Sequence, residues 1–350
     1  MRQFNFDNAF LNGMLAENVY MHQSDQFASP DLSMVCKLHK AIYGLKQAPR
    51  AWFNTLANTL KYFGFENTKF DHSLFVRRTN TSILYLLAYV DDIILTGSSN
   101  FDIDTLILEL NKIFPLKDLG KLRYFVGLEV NYLDSGRVLL SQSKYASELL
   151  KKSRMSGLNS MPTPMISSLK LTQNDSNIYE DPKHYRSIVG ALQYLTITHS
   201  ELSYSVNRVS QFMHSPTINH WKAVKRILRY VQGTVSNGLI FHKCTDYRLI
   251  SFADADWGAD LDDRRSISGY FVFMESNLIS WKSDKQSKVS KSSTEAEYRA
   301  LTLLRKNSSR CNNCCKNFVS RNLSLPLFIR IAKVRVYWQQ ILFFTADASI

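Results

Sequence analysis

The sequence is poor in the features that mark secreted and membrane-spanning proteins. Its five cysteines fit no disulfide framework. No apolar run approaches the length of a membrane span, and the N-terminus lacks the pattern of a signal peptide. These absences exclude a disulfide-stapled secreted domain and a membrane-spanning protein. They predict a protein inside the cell, in the cytoplasm or the nucleus.

Acidic residues are also scarce relative to basic ones. The chain has 30 Asp and Glu residues against 43 Lys and Arg residues, which gives a net charge of +13. This balance predicts a polyanionic partner, with nucleic acid as the first choice and an anionic membrane surface as the alternative. Residues 306–350 hold seven of the cations and one acid, so the charge argument is weaker for the rest of the chain.

The most informative stretch is residues 83–97, where Asp91 and Asp92 interrupt a long apolar run. The pattern predicts a buried strand, a tight turn at the two acids and a second buried strand. Ionised carboxylates are seldom buried without a partner, so the pair calls for a cation, and Mg²⁺ is the usual choice among oxygen ligands. The alternative is a solvent-exposed hairpin tip that happens to carry two acids.

The segments around this turn give it a specific context. Residues 40–53 precede Tyr89-Val90-Asp91-Asp92, and residues 117–120 and 124–130 follow it. This succession resembles the polymerase of copia-type LTR retrotransposons, and the resemblance extends over residues 1 to about 304. It implies an α+β protein, with a right-hand polymerase palm of antiparallel sheet and helices followed by a partial RNase H-like α/β domain. The implied activity is RNA-directed DNA polymerisation, and the implied partners are RNA template, DNA primer and RNA–DNA hybrid, with protein partners left open.

The resemblance also implies two-metal phosphoryl transfer, with Mg²⁺ held by Asp91, Asp92 and an acid on the first strand. At that third position the chain has Asn5, a neutral amide. Asp7 lies about 6–7 Å further along the strand, too far to replace a ligand of two metals that sit about 3.5–4 Å apart. The family's fingers subdomain, which precedes this strand, is expected to be missing. We therefore expect an inactive polymerase, and the alternative is a non-enzymatic nucleic-acid-binding remnant of the element.

A loop and a helix before the acidic turn are implied to contact template and nucleotide. The apolar spacing of Trp52, Leu56, Leu60 and Phe63 predicts the helix, while residues 14–33 have the mixed pattern of a loop. Alternatively, Phe10 is an ordinary core residue, and Lys46 and Arg50 belong to a solvated surface. The implied contact residues are Phe10, Gly44, Lys46, Gln47, Pro49 and Arg50.

Further along, strands within 117–130 and 137–142 are expected to complete the palm sheet, and a helix follows over 144–156. Ser, Asn, Pro and Thr dominate 157–182, which predicts a linker or an extended crossover. The helix at 220–231 has an apolar stripe and an opposite basic side. In a polymerase this side would contact the primer–template backbone, and the alternative is a solvated helix face. Its cations are Lys222, Lys225, Arg226 and Arg229.

A second acidic strand, residues 249–257, is followed by a predicted hairpin and a helix that opens with Ser, Thr and Glu. This order resembles the RNase H domain fused behind the copia-type polymerase. The resemblance assigns Asp254 and Glu297 as metal ligands, ahead of their neighbours Asp256 and Glu295. Favourable interaction with the helix dipole is the alternative role for the two glutamates.

Beyond residue 304 the resemblance stops. Cys311, Cys314 and Cys315 have no second Cys or His pair at a zinc-site spacing, so zinc binding is not predicted. Permitted codons read with one shift of frame give an amphipathic helix over 305–318 and a segment like the family's third-carboxylate strand over 327–350. We therefore predict a frameshifted tail without RNase H packing. The predicted regions are a palm over 1–156, a linker over 157–182, a thumb or connection-like helical region over 183–245, a partial RNase H-like domain over 246–304, and the tail over 305–350.

Overall fold

The computed structural model describes residues 1–317, apart from residues 28, 30, 32, 69, 70, 174, 175 and 245–247, and the side chains of 25 and 309–317 are also outside that description. The chain divides into two compact units, Met1–Leu122 and the residues from Arg123 onward. Predictions for residues 318–350, including the third-carboxylate segment, fall outside the described residues. No helix within the described residues is long and apolar enough to cross a membrane.

The first unit contains two α-helices and eight strands among its described residues. The elements are β1 (Arg2–Phe6), β2 (Met14–His22), β3 (Val35–Lys40), α1 (Ala48–Tyr62), β4 (Glu66–Asn67), β5 (Leu74–Arg78), β6 (Ile83–Tyr89), β7 (Asp92–Gly97), α2 (Asn100–Ile113) and β8 (Leu116–Lys121). Six of the strands form an antiparallel sheet with the order β4-β5-β6-β7-β1-β8, and β2 and β3 form a separate two-stranded ribbon.

Both helices of this unit contribute to a core on one face of the sheet. Trp52, Leu56 and Leu60 are buried at helical spacing on α1, and the predicted helix is confirmed. They cluster with buried residues of β1, β6, β7 and α2. The predicted strand, turn and strand over 83–97 are also confirmed, because β6 and β7 form a hairpin with the acids at its turn. The core therefore holds the acidic turn at one end of the hairpin.

The prediction of a loop over residues 14–33 is wrong for its first part. Met14–His22 forms strand β2, which pairs with β3 in an antiparallel ribbon. Most residues of both strands are exposed, and only Leu15, Val19 and Leu38 are half-buried. Apolar and polar residues do not alternate regularly along Met14–His22, so the sequence pattern gave no strand signal.

The second unit contains three- and four-stranded antiparallel sheets and five helices among its described residues. Of the strands expected to complete the palm sheet, β8 at the start of 117–130 does join the first sheet, whereas the rest of that stretch and 137–142 lie in a separate sheet with the order β12-β11-β10-β9. The elements are β9 (Tyr124–Phe125), β10 (Leu128–Tyr132), β11 (Val138–Ser141), α3 (Ser143–Lys152), α4 (Pro182–Leu195), α5 (Ser203–Ser210), α6 (Ile218–Thr234), β12 (Gly238–Phe241), β13 (Leu249–Ala255), β14 (Ile267–Met274), β15 (Asn277–Lys285) and α7 (Ser293–Asn317).

Helices α3 to α6 share one apolar core. The amphipathic helix predicted at 220–231 is confirmed within α6, whose first turn is capped by Thr217 and His220. Each of these two side chains accepts a hydrogen bond from the other residue's backbone N–H, and this reciprocal cap satisfies two amides that the helix itself leaves unpaired. The His220 ring also stacks on Phe212, with ring centroids 3.8 Å apart.

The connection between α3 and α4 packs along α6 rather than hanging free. Leu171 is buried in the helical core, and the His220 Nε2 atom lies 3.0 Å from the Thr172 carbonyl oxygen. Gly233 allows a close approach, because a Cβ atom there would lie 2.9 Å from the Ser160 Cβ. The sequence predicted either a linker or an extended crossover over 157–182. Residues 157–173 behave as a packed crossover.

The sheet β13-β14-β15 is covered on one face by α7. Helix α7 continues past residue 304 to Asn317, and the frameshifted tail without RNase H packing stays a prediction. The Ser308 Oγ atom lies 3.2 Å from Ser251 Oγ on β13. Residues 305–317 contain neither Pro nor Gly, so the backbone can continue the helix even where an apolar stripe is missing.

Candidate functional site

The acidic turn joins β6 to β7 through Val90 and Asp91, and Tyr89 pairs directly with Asp92. Val90 has φ of 54°, a left-handed conformation that is strained for a β-branched side chain. The Trp52 indole N–H donates to the Val90 carbonyl oxygen at 2.6 Å, and the Phe6 amide donates to the Asp91 carbonyl oxygen at 2.7 Å. Helix α1 and strand β1 thus hold the strained turn in place.

Two carboxamides face the Asp92 carboxylate from the neighbouring strand. The register of β1 against β7 places Asn5 directly opposite Asp92. The Asn5 Nδ2 atom donates to Asp92 Oδ1 at 3.3 Å, and the Gln3 Nε2 atom reaches the same oxygen at 3.5 Å. The position where the resemblance implies a third carboxylate therefore presents a hydrogen-bond donor instead.

The electrostatic setting of Asp92 follows from this arrangement. Burial raises the pKa of Asp92 above its ordinary value, and the negative charge of Asp91 acts in the same direction. The hydrogen bonds from Asn5 and Gln3 oppose that shift without reversing it. Neutral amides thus stabilise the carboxylate less than its burial and its charged neighbour destabilise it.

These residues do not fit the two-metal site that the resemblance implies. Asn5 is a neutral amide in contact with the Asp92 carboxylate, and it adds no negative charge for two divalent ions. Asp7 lies beyond the end of β1, is exposed, and donates its backbone N–H to the Pro115 carbonyl oxygen at 3.1 Å. Within the described part of the chain, no three acidic, His or Cys side chains form a group that could hold a metal ion.

The predicted template-contact residues lie on the 3₁₀ helix after β1 and on the approach to α1. The rings of Phe10 and Tyr43 pack with centroids 4.6 Å apart, and Gly44 has φ of 95°, which favours glycine. Lys46 and Arg50 are exposed, Gln47 is at the N-cap position of α1, and Pro49 is in its first turn. Their contact with template stays a prediction.

Two positioning residues were missed in the sequence. Trp52 was assigned only to the apolar stripe of α1, although its indole also supports the strained turn. Gln3 was not singled out, although it shares Asp92 Oδ1 with Asn5. Alternation along β1 was the available signal, because residues two apart on a strand point to the same face.

Comparisons with known proteins identify the family to which this chain belongs. The sequence profile described as reverse transcriptase (RNA-dependent DNA polymerase) matches residues 1–167. A putative Ty5-1 transposon protein of Saccharomyces cerevisiae is 33% identical over 297 residues, which cover 83% of this chain and 96% of that protein. The chain belongs to the reverse transcriptase family of copia-type retrotransposon Pol proteins.

Two plant relatives extend the comparison. The retrovirus-related Pol polyprotein from transposon RE2 of Arabidopsis thaliana is 45% identical over 302 residues, 86% of this chain and 21% of the polyprotein. An uncharacterized mitochondrial protein of the same plant is 48% identical over 221 residues, 63% of this chain and 91% of that protein. The chain thus spans about a fifth of the RE2 polyprotein. The family predicted from the acidic turn and its flanking segments is confirmed.

The second set of predicted ligands occupies β13 and α7. Ser251 contacts α7, so alternation along β13 points Asp254 to the face that α7 does not cover. Glu297 is exposed on α7. Asp256 Oδ1 accepts the Ile267 amide at 2.9 Å, and Glu295 bonds the Lys291 amide and Arg299 at the start of the helix. The role of Asp254 and Glu297 as metal ligands stays a prediction.

The four cations predicted on α6 do not form one free surface. Arg226 donates to Thr163 Oγ1 at 2.8 Å, and Arg229 donates to the Asn159 carbonyl oxygen at 2.7 Å. Both arginines therefore hold the α3–α4 connection, a contact between distant segments that helix periodicity could not indicate. Lys222 is exposed and Lys225 half-buried. Phosphate binding stays a prediction, and these two lysines are its remaining candidates.

A buried charge cluster in the second unit was also missed. Asp260 is 1% exposed and pairs with Arg208 at 3.0 Å and with Lys285 at 2.9 Å. Burial alone would raise the pKa of Asp260, but Lys285 and the amides of Asp263 and Asp262 outweigh it and lower that pKa. The cluster joins α5, β15 and the loop between β13 and β14.

A cavity of about 390 Å³ lies beside this cluster, between α4, α5 and β15. None of the predicted site residues lines it. Its polar lining includes Gln193, Ser203, Asn207, Trp281 and Ser283.

Proposed function

We propose that this reverse transcriptase domain binds RNA template, DNA primer and RNA–DNA hybrid without catalysing metal-dependent nucleotide addition. One observation carries the proposal: the Asn5 amide donates to Asp92 Oδ1 at 3.3 Å, at the position where the family resemblance implies a carboxylate. Family membership supports the nucleic-acid partners, and the Asn5 contact supports the loss of catalysis.

The argument is one of charge and donor type. Two divalent ions at one site require several ionised oxygens, and Asp91 and Asp92 supply two negative charges. A carboxamide supplies none, and its N–H group already contacts one of the carboxylate oxygens. Burial favours the protonated form of Asp92 and weakens it further as a ligand.

For residues 246–304 we propose descent from an RNase H domain, without RNA cleavage by this chain. The order of acidic strand, hairpin and Glu-bearing helix supports that descent. Asp254 points away from the face covered by α7, which speaks against a shared metal site with Glu297. A hybrid-cleavage assay of the full chain should therefore show no product beyond that of an Asp254→Asn variant.

Primer extension tests the catalytic half of the proposal. The full chain is incubated with an RNA template, a DNA primer, deoxynucleotides and Mg²⁺, beside a variant with Asp91→Asn and Asp92→Asn. We expect the two proteins to give the same background. Extension by the unchanged chain well above that of the double variant would contradict the proposal.

Metal titration examines the cause. Asn5→Asp supplies the missing carboxylate, so calorimetry with Mn²⁺ should detect binding that the unchanged chain lacks. Adding Asp91→Asn and Asp92→Asn to that variant should abolish the binding. If the unchanged chain binds Mn²⁺ as well as the Asn5→Asp variant does, Asn5 is not the reason for inactivity.

The binding half is tested on an RNA–DNA duplex. A double variant, Lys222→Ala with Lys225→Ala, should weaken binding and reduce the slope of log affinity against log salt by about 2, because two phosphate contacts are lost. Lys151→Ala with Lys152→Ala, at the end of α3, removes the same charge elsewhere and should leave that slope near its original value. Equal losses in both variants would remove α6 as the contact surface.

A further inference from the structure

The ribbon β2–β3 carries two faces of different chemistry. Alternation along the strands and their register, in which Tyr20 faces Lys37 and His22 faces Val35, place these four residues on one face. His39 follows Lys37 by two residues and shares that face. We call this set, Tyr20, His22, Val35, Lys37 and His39, the outer face.

The outer face is open and has basic and aromatic character. The Tyr20 side chain is 57% exposed, and His22, Lys37 and His39 are all exposed. None of these four side chains makes a hydrogen bond or ion pair in the part of the chain that the structure describes. The set contains no acid, so its charge complements a phosphate backbone. Tyr20 adds a flat ring at the strand position opposite Lys37.

The opposite face of the same ribbon differs. It carries Val19 and Leu38, which are half-buried, together with Met21 and Cys36. The half-buried positions indicate that this apolar face is directed towards the body of the first unit, where β2 contacts α1. The ribbon is thus docked through one face and leaves the outer face for a partner.

The base of the ribbon rests on the helix that positions the acidic turn. The Ala41 amide donates to the Gly13 carbonyl oxygen at 2.8 Å and closes the base. A Cβ atom on Gly13 would lie 2.7 Å from the Trp52 backbone nitrogen, so the absent side chain permits direct contact with α1. Trp52 in turn holds the Val90 carbonyl. The ribbon that carries the outer face is therefore attached to α1, the helix that also supports the acidic turn.

We infer that the outer face binds an unpaired strand of nucleic acid, with Tyr20 stacking on a base and Lys37 and the two histidines contacting phosphates. An exposed aromatic ring beside cations is the combination that holds single strands without sequence preference. Paired bases are already stacked, and the deep groove of A-form duplex excludes side chains, so a single strand fits this face better. The inference rests on the nucleic-acid binding proposed above and adds a surface to it.

The test uses fluorescence anisotropy of the full chain with three labelled probes: an unstructured 20-nucleotide RNA, the matching single-stranded DNA and a blunt RNA–DNA duplex. The variant is Tyr20→Ala with Lys37→Ala. The matched control is Tyr62→Ala with Lys40→Ala, which removes an 86% exposed tyrosine on α1 and a lysine on the other face of the ribbon.

We expect Tyr20→Ala with Lys37→Ala to weaken binding of both single strands by about tenfold or more, since the variant loses one stacked base and one phosphate contact. Duplex affinity should change less than twofold. The control should stay within twofold for every probe, and Tyr20→Trp should retain single-strand binding because its ring also stacks.

Several results would overturn the inference. Unchanged single-strand affinity in the outer-face variant would do so while leaving duplex binding, and hence the proposed function, intact. An equal loss in the control would show that net charge rather than this face is responsible. Equal losses for duplex and single strand would remove the preference for unpaired bases. If the unchanged chain binds none of the three probes, both the inference and the proposed function fail.

Discussion

Asp92 and Asp260 lie in two different units of the molecule and have opposite surroundings. Asp92 sits beside another carboxylate, and its close partners are the amides of Asn5 and Gln3. Asp260 is held by Arg208 and Lys285 and by two backbone amides. Burial acts on both carboxyl groups, but the pKa of Asp92 is raised, whereas Lys285 and the amides of Asp263 and Asp262 lower the pKa of Asp260.

The difference separates a carboxylate that the fold leaves uncompensated from one that it neutralises internally. A structural carboxylate inside a protein is paired by cations of the same chain, as at Asp260. A carboxylate that serves a ligand site depends on charge that comes from outside. The acidic turn has retained the second kind of setting, although Asn5 has replaced one of the acids that the family resemblance implies.

The largest expected effect comes from removing the compensated carboxylate. Asp260→Ala leaves Arg208 and Lys285 without their buried partner, which typically costs about 3–5 kcal/mol of unfolding free energy. Hydrogen exchange of α5 and β15 peptides across a urea series measures the change.

Asp284→Ala is the control, because Asp284 belongs to an exposed ion pair with Lys282 on the same strand. Exposed pairs contribute about 0–1 kcal/mol. If Asp260→Ala costs no more than this control, the buried cluster does not stabilise the second unit. The contrast between Asp92 and Asp260 then fails, because Asp260 is not a stabilising carboxylate.

A smaller effect is expected at the strained turn. Val90→Gly removes a β-branched side chain from a left-handed conformation and should raise the stability of the first unit by about 1 kcal/mol, although glycine loses more backbone entropy on folding. Slower hydrogen exchange in β6 and β7 would report the gain. Val289→Gly is the matched control, since Val289 is exposed and lacks a positive φ, and no gain is expected there. A loss of stability in Val90→Gly would mean that the valine side chain contributes more by packing than its conformation costs.

The smallest effects are pH-dependent and of opposite sign. The raised pKa of Asp92 contributes stability that is present below about pH 3.9, the ordinary value, and is lost as pH rises through the folded-state pKa. The lowered pKa of Asp260 contributes stability that is present above that ordinary value and is lost as pH falls.

Denaturant unfolding at a series of pH values distinguishes the two carboxylates. Asp92→Asn should become progressively more stable than the unchanged chain as pH rises above about 4. Asp260→Asn should be less stable at pH 7, with the deficit shrinking towards pH 3. Asp91→Asn should reduce the pH dependence that comes from Asp92, because one source of the raised pKa is gone. Parallel pH profiles for all three variants would contradict the comparison.

Features that depend on local burial were predictable from the sequence. The hairpin over 83–97 and helix α1 were predicted because each carries an apolar pattern of the right period, and that pattern follows directly from one-sided or complete burial. The polymerase motifs likewise led to the family, since the residues that carry the resemblance are contiguous. At the candidate site, Asn5, Asp91 and Asp92 were identified because they match family positions.

Features that depend on contacts between distant segments were not predictable. Strand β11 pairs with β12, about a hundred residues later in the chain, and no local pattern specifies that partner. Arg226 and Arg229 look like an open basic face until the connection that covers them is placed. Asp260 is one of four acids in the loop between β13 and β14, and only the packed structure distinguishes it from its neighbours.

The connection over 157–173 is attached to the helical core of the second unit at several points along its length. Its residues are held to α6 through the Asn159 carbonyl, Thr163 and the Thr172 carbonyl, and Leu171 is inserted into the helical core. These contacts lie on both sides of the Pro164 region, so a single break in the chain there would leave each end anchored to the same helix. The two resulting fragments would migrate as one particle under native conditions and separate only in denaturant, a property that suits this stretch as a split point for reassembly from two polypeptides.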